Sequence, residues 1–243
     1  MATTGWQLGE LNEWSKKTNT ELATHIPLII RVPWKTAAVG VRTTVKIELV
    51  DMYKTLADLA GLDMSTVQPS VQGLSLAPVF DAPTSPPQPF AEKRAFSQIG
   101  RCNCGMYKTR QGPTPECGGN ACCLIPITCP PGADPETCDK DTNSSHWDMS
   151  ATGTYDYMGY TMRTNDARLT IWLQMDDDTA RPIWPAGGLD AMGDRIELYD
   201  LHGDDGRDFD YDGYSLNVAN MPQNKEKVAA LWAELKAEVP KWL

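Results

Sequence analysis

Long hydrophobic runs and an excess of positive charge are both missing from this 243-residue chain. The longest apolar stretch is the short run IPLII at residues 26–30, whereas a membrane-spanning helix needs about 20 mostly apolar residues. The chain has 22 Lys and Arg residues against 32 Asp and Glu residues, for a net charge of −10, and no basic stripe. We therefore expect no membrane span and no nucleic-acid partner, since nucleic-acid binding requires a basic surface.

Several well-known catalytic motifs are also absent. The sequence has no phosphate-binding G-x-x-x-x-G-K-[ST] loop, no G-x-S-x-G nucleophile turn and no H-E-x-x-H metal motif. The first 30 residues show no basic segment followed by an apolar one, so no secretory signal is expected within them. A complete catalytic constellation is therefore not expected from local motifs alone.

Cysteine is abundant in one window that is otherwise rich in Gly, Pro and Thr. Such a segment cannot build a hydrophobic core, so it is expected to be held by disulfides, with zinc as the second interpretation. Disulfides would indicate a secreted or lumenal protein, and the glycosylation sequon at Asn143 could be used only in such a protein. The seven cysteines, an odd number, are Cys102, Cys104, Cys117, Cys122, Cys123, Cys129 and Cys138.

The first third of the chain has the pattern of an α/β fold. The apolar run at 26–32 predicts a buried strand, and residues 46–61 predict a helix that ends at Gly61. One face of this helix would carry the apolar residues Ile47, Val50, Tyr53, Leu56, Ala57 and Ala60. A Pro- and Ser-rich connector at 67–89 predicts a domain boundary, which divides the chain into 1–89 and 90–243.

The second part has the pattern of an α+β fold with an insert at 102–138. Alternating apolar residues at 158–162 and 169–173, separated by a Thr-Asn-Asp turn, predict a β-hairpin. Further strands are predicted at 94–100 and 196–201. The spacing of Val228, Leu231, Trp232, Leu235 and Val239 predicts a C-terminal amphipathic helix packed on this antiparallel sheet.

Three places carry candidate functional residues. Lys16 could meet an oxyanion through a charge-assisted hydrogen bond, although a solvated surface lysine is the simpler interpretation. His25 lies just before the predicted strand at 26–32 and is interpreted first as a structural residue. The run Asp208-x-Asp210-x-Asp212-Gly213 matches half of a calcium loop, but Ala219 stands at its twelfth position, which favours a solvated acidic turn.

A set of motifs runs along nearly the whole chain outside the Cys-rich and acidic inserts. The motifs are GWQLGE from Gly5, WSK ending at Lys16, Asn19, the run ATHIPLI that contains His25, ELVDMYKTLADLAGL, QGLSL, MGYTMRTNDARLTIW, ELYDL and NVAN. As a set they resemble the sulfatase family, and in particular its iduronate-2-sulfatase-like members. The resemblance implies the closing part of an alkaline-phosphatase-like α/β domain, followed by a small C-terminal subdomain with an antiparallel sheet and a packed helix.

The resemblance also implies which parts of the family's chemistry this chain carries. In the family, a cysteine of a C-x-[PSA]-x-R motif becomes formylglycine, and a calcium ion polarises the sulfate. The nearest match begins at Cys129 but has Ala133 in place of the arginine, and Thr3 and Thr4 occupy the positions of the family's metal-binding Asp-His pair. Lys16 corresponds to the lysine that contacts the substrate's sulfate group, and His25 is carried over with it as a candidate substrate-binding residue.

Two functions follow as expectations. The first is a C-terminal fragment of a sulfuric ester hydrolase, inactive alone, which would meet a sulfated small molecule or a glycosaminoglycan once an N-terminal half completes it. This chain alone is then not expected to bind calcium. The second is a non-catalytic Cys-rich module that binds an anionic glycan or a protein.

Overall fold

The computed structural model describes residues 5–8, 10, 14–16, 18–101, 157–176, 178–204, 213 and 216–242. The seven cysteines, Asn143, Thr3, Thr4 and the acidic run at 208–212 lie outside these residues, so the predictions made for them stay predictions. In chain order the strands and α-helices are β1 (Gln7–Leu8), β2 (Trp14–Ser15), α1 (Glu21–Thr24), α2 (Asp51–Leu59), β3 (Ala95–Arg101), β4 (Tyr157–Arg163), β5 (Ala167–Met175), β6 (Pro182–Ile183), β7 (Ile196–Asp200) and α3 (Lys225–Glu238).

An antiparallel sheet of β3 to β7 forms the framework. Strand β4 pairs with β3 on one side and with β5 on the other, and β5 pairs in turn with β7 along 167–171 and with β6 at 174–175. The predicted hairpin is confirmed as β4 and β5, with the turn at 164–166. The strands predicted near 94–100 and 196–201 are confirmed as β3 and β7.

The main core lies between this sheet and α3. Leu169, Ile171 and Leu173 of β5 are fully buried, and they share one hydrophobic cluster with the buried face of α3. Trp232 of α3 meets Trp184 edge to face, with ring centroids 5.6 Å apart. The predicted helical stripe at 228, 231, 232, 235 and 239 is therefore confirmed, since all five side chains are buried.

Helix α2 is present, but much of its predicted apolar face points outward. Ile47 and Ala57 do contribute to the interior, whereas Tyr53 and Leu56 are 61% and 58% exposed. On the opposite side, Asp51 and Thr55 are completely buried. The helix is shorter than the predicted 46–61, and its apolar face points outward because these polar side chains bind backbone groups of the following loop, which folds against them.

Hydrogen bonds fix α2 in this orientation. The Asp51 carboxylate accepts the N–H of Glu48 at 2.8 Å and the N–H of Leu74 at 2.9 Å, and the Thr55 hydroxyl accepts the N–H of Leu76 at 2.9 Å. The ammonium group of Lys93, just before β3, lies 2.9 Å from the Asp51 carboxylate. The polar face of α2 is therefore tied to both the loop and the sheet.

Gly61 ends α2 in a left-handed conformation, with φ of +71°. Its N–H donates to the carbonyl of Asp58, and the N–H of Leu62 donates back to the carbonyl of Ala57 at 3.0 Å. This is the Schellman arrangement, in which a residue without Cβ adopts the turn and satisfies the last carbonyl groups of the helix. The prediction of Gly61 as the helix stop is confirmed.

The predicted buried strand at 26–32 is wrong. Ile29 is 88% exposed, Val32 is buried, and none of the described strands pairs with this segment. A buried strand of a parallel or mixed sheet requires hydrogen-bonding strands beside it. The segment is instead an irregular strap, and the described residues do not confirm an alkaline-phosphatase-like sheet.

No helix in the described ranges combines the length and the apolar character needed to cross a membrane.

Truncating a leucine in the core should cost much more stability than truncating one at the surface. We expect Leu169→Ala to lower the free energy of unfolding by about 2–5 kcal/mol, because it leaves a cavity beneath α3. Leu216→Ala, at a residue that is 57% exposed, should change it by less than about 0.5 kcal/mol. Urea unfolding of both variants measures the difference, and equal losses would contradict the assigned core.

Candidate functional site

Lys16 lies directly after β2, on a two-stranded ribbon at the surface. Gln7 of β1 pairs with Ser15, and Leu8 pairs with Trp14. The Gln7 side chain is completely buried; its amide donates to the carbonyl of Glu10 at 3.1 Å and accepts the hydroxyl of Thr20 at 3.1 Å. Lys16 itself is exposed and makes no ion pair with any described residue. Among the described residues, none occupies its ammonium group.

Gly5 packs the start of the ribbon against α1. The N–H of Gly5 donates to the carbonyl of Ala23 at 2.9 Å. A Cβ atom at this position would lie 1.8 Å from the carbonyl oxygen of Leu22, a distance that no side chain can tolerate. The glycine of the Gly-Trp motif is thus required by the close approach of two backbones.

Asn19 attaches the segment after Lys16 to the sheet. Its side-chain amide donates to the carbonyl of Gly159 in β4 at 2.9 Å, and its own carbonyl accepts a hydrogen bond from Nη1 of Arg168 in β5. Gly159 leaves room for the Trp172 ring, which lies 2.6 Å from where a Cβ would be. Three residues beyond Lys16, the chain is therefore held by two neighbouring strands.

Arg168 is a charged residue inside the fold, only 1% exposed. Its guanidinium lies over the Tyr199 ring, 4.3 Å from the centroid, and burial lowers the pKa of the guanidinium. Burial also raises the pKa of the Tyr199 phenol, and the neighbouring Glu197 carboxylate adds to the effect, so the phenol stays neutral at physiological pH. Nε and Nη2 of Arg168 find no acceptor among the described residues, which costs about 1–3 kcal/mol for each unpaired group.

A second buried charge cluster centres on Glu21 of α1, which is 4% exposed. Nε of Arg163 lies 3.0 and 3.1 Å from the two carboxylate oxygens, and Nη2 of Arg163 lies 3.6 Å from the buried Asp204 carboxylate. Burial lowers the pKa of the nearby Lys46 ammonium and the charge of Arg163 lowers it further, while Glu21 and Asp204 oppose the shift. The cluster joins α1 to the end of β4.

His25 is placed by this same cluster. It follows α1, its N–H donates to the carbonyl of Glu21 at 2.8 Å, and its Nδ1 lies 3.6 Å from the Glu21 carboxylate. The imidazole is 39% exposed. Lys16 and His25 thus lie on two parts of one short segment, which is held on the sheet by Arg168 near Lys16 and by Arg163 near His25.

The sequence analysis missed Glu21, Arg163, Arg168 and Asp204 as parts of this region. The usable signal was the pair of arginines in MGYTMRTNDARLTIW, because charged residues within apolar strands must find buried partners. The partners themselves could not be predicted, since Glu21 and Asn19 lie about 140 residues earlier in the chain than Arg163 and Arg168.

The described residues do not by themselves form the calcium site that the family resemblance implies. Within these ranges, no group of three or more His, Cys, Asp or Glu side chains is placed to hold a metal ion. The buried carboxylates are already neutralised, Glu21 by Arg163 and Asp51 by Lys93. A hard dication would have to displace these cations from the carboxylates before it could bind.

Comparison with known proteins gives two curated relatives. The chain is 36% identical to human iduronate 2-sulfatase over 25% of its own length, and 36% identical to the mouse iduronate 2-sulfatase over 24%. This chain is related to the sulfatases. It spans only 15% of the length of either relative, and no sequence-family profile matches it.

One solved structure is similar to part of this chain. It is a crystal structure at 2.40 Å of a protein from Bacteroides thetaiotaomicron, named provisionally as a sulfatase. The alignment covers 79% of this chain and 24% of the bacterial one, with 16% identity and a TM-score of 0.39.

Breaking the Glu21 cluster should destabilise the protein strongly. We expect Arg163→Met to lower the free energy of unfolding by about 3–5 kcal/mol, because it leaves a buried carboxylate without its main partner. The control is Lys35→Met, whose ammonium pairs at 2.7 Å with an Asp81 carboxylate that is 62% exposed. That change should cost at most about 1 kcal/mol by urea unfolding, and similar losses in both variants would contradict the role of the buried pair.

Proposed function

We propose that this chain supplies the C-terminal part of an iduronate-2-sulfatase-like sulfuric ester hydrolase. The observation that carries the proposal is the 36% identity to two iduronate 2-sulfatases. In this proposal, residues 1–89 are the closing part of an alkaline-phosphatase-like domain, and residues 90–243 are the C-terminal subdomain. The rest of the domain comes from a longer form of the protein or from a separate polypeptide.

Lys16 is the residue of this chain that meets the substrate. Cleavage of a sulfate ester concentrates negative charge on the nonbridging and leaving oxygens, and a fixed cation close to them lowers the barrier. The exposed ammonium of Lys16 is suited to that role, and the ribbon and the Asn19 hydrogen bonds support its placement. An ammonium on an ordered segment has less conformational entropy to lose when it binds an anion.

His25 is the second substrate-binding candidate. Its Nδ1 faces the Glu21 carboxylate while the ring remains partly exposed, which leaves Nε2 as the nitrogen that can reach a ligand. A carboxylate on one side of an imidazole orients the ring and favours a proton on the nitrogen that faces it. In the proposed enzyme, His25 contributes to binding and orientation, and we assign it no proton-transfer step.

The nucleophile and the calcium ligands belong, in this proposal, to the other part of the enzyme. The motif at Cys129 has Ala133 where the family has arginine, and Thr3 and Thr4 stand where it has the Asp-His pair. Lys16 can bind a sulfate group but cannot hydrolyse the ester alone. The substrate class is a sulfated small molecule or glycan, and the compartment is secreted or lysosomal, in keeping with the cysteine content.

The test of the proposal is reconstitution. This chain is co-expressed with human iduronate 2-sulfatase truncated before the segment that the two proteins share, and an aryl sulfate is assayed with calcium. We expect turnover only when both polypeptides are present. Lys16→Ala should reduce kcat/KM by about 100- to 1000-fold, the usual loss when an electrostatic stabiliser of the transition state is removed.

The control for Lys16→Ala is Lys225→Ala, which removes an exposed lysine at the start of α3 and should leave turnover unchanged. Turnover by this chain alone that disappears in Lys16→Ala would contradict the proposed division of labour. Binding of a sulfated glycan without any reconstituted turnover would favour the non-catalytic module instead.

A further inference from the structure

Helix α2 carries its apolar side chains on the outside. We define its outer face as Leu49, Val50, Tyr53, Leu56 and Leu62, each between 47% and 61% exposed. Tyr53 and Leu56 are spaced i and i+3 within the helix, so they lie on one side of it, whereas Leu49, Val50 and Leu62 flank its two ends. A helix with this pattern normally buries such a stripe against other parts of the protein.

The outward orientation is fixed by the polar side of the helix. Asp51 and Thr55 bind the N–H groups of Leu74 and Leu76, the Asp58 carboxylate accepts the Ser75 hydroxyl at 2.5 Å, and Lys93 pairs with Asp51. Turning the outer face inward would break these bonds and expose the Asp51 carboxylate, which now has three partners, the N–H groups of Glu48 and Leu74 and the ammonium of Lys93. The outer face is therefore a surface of the part of the chain that the structure describes.

Exposed apolar side chains concentrate in this part of the molecule. Ten of the fifteen large hydrophobic residues that are exposed in the described ranges lie between residues 29 and 74, and only three lie beyond residue 157. Helix α3 shows the opposite arrangement, since its apolar stripe is buried on the sheet. The sheet and α3 form a closed core, whereas the α2 region presents apolar surface that requires a partner.

We propose that the outer face of α2 is the docking surface for the part of the sulfatase polypeptide that this chain does not contain. This inference rests on the proposed function. The chain spans 15% of its curated relatives, so most of their length has no counterpart here that could cover α2. Pairing between two copies is disfavoured because each copy carries a net charge of −10.

The experiment measures association and uses no enzymatic readout. The full chain is co-expressed with the truncated human iduronate 2-sulfatase described above, and the dissociation constant of the purified pair is measured. We expect Tyr53→Gln combined with Leu56→Gln to weaken association at least about 10-fold, because apolar residues at the centre of an interface dominate its affinity. Glutamine is a good helix former, so α2 is retained.

The matched control is Ile183→Gln on β6, which polarises a residue that is 45% exposed on the sheet. The control should leave association unchanged, and all variants should keep the wild-type thermal midpoint, because each changes an exposed side chain. Equal weakening by the control, or no association of the wild-type chain, would overturn the inference. A wild-type homodimer that the α2 variant dissolves would also overturn it, by making a second copy the occupant.

Measuring association and turnover independently distinguishes a failure of this inference from a failure of the proposed function. A pair that associates through α2 but hydrolyses no aryl sulfate supports the docking surface and counts against the enzyme. Turnover that persists while the α2 variant binds normally supports the enzyme and overturns the docking surface.

Discussion

The hydrogen bond from the Arg168 guanidinium to the carbonyl of Asn19 is the contact on which the position of the N-terminal segment depends. It joins a residue near the start of the chain to the central strand of the sheet. A guanidinium that is 1% exposed is expensive to bury, and the aromatic face of Tyr199 offsets only part of that cost. An apolar residue at this position would avoid the desolvation cost of the guanidinium. The charge is nevertheless retained, and its bond to Asn19 holds the segment with Lys16 and His25 on the sheet.

The sheet gives this connection its rigidity. Strands β4 and β5 bury one face against α3, and their other contacts include Arg163, Arg168 and the Gly159 carbonyl, which hold the N-terminal segment. Strand alternation sends neighbouring residues to opposite sides, so a single hairpin can serve both a core and a charged interface. Precise placement of Lys16 thus depends on packing that occurs far from it in the sequence.

Local patterns in the sequence predicted much of this fold. The alternation in β4 and β5 and the stripe on α3 identified their elements and buried faces, because in both cases burial follows directly from periodicity. The apolar spacing of residues 46–61 did not predict the orientation of α2, because Asp51 and Thr55 accept hydrogen bonds from a loop more than 20 residues away. The apolar run at 26–32 wrongly predicted a strand, because apolar residues form a strand only where neighbouring strands can pair with them.

The candidate site was predictable only in part, for a related reason. Lys16 and His25 are predictions from family-like motifs, whereas Glu21, Arg163, Arg168 and Asp204 act through contacts between distant segments. A single sequence contains no record of such pairings when the residues are separated by about 140 positions. Charged residues in an apolar strand indicate that a partner exists without indicating which residue it is.

The bonds from Asp51 and Thr55 to the loop at 74–76 affect how the chain fluctuates. The N–H groups of Leu74 and Leu76 lie in an irregular segment, yet their acceptors belong to the buried side of α2. Exchange of these two amide hydrogens with water requires the helix itself to open, so the loop and the helix form one cooperative unit. A protease that needs a locally unfolded loop would find this one protected for as long as α2 remains folded.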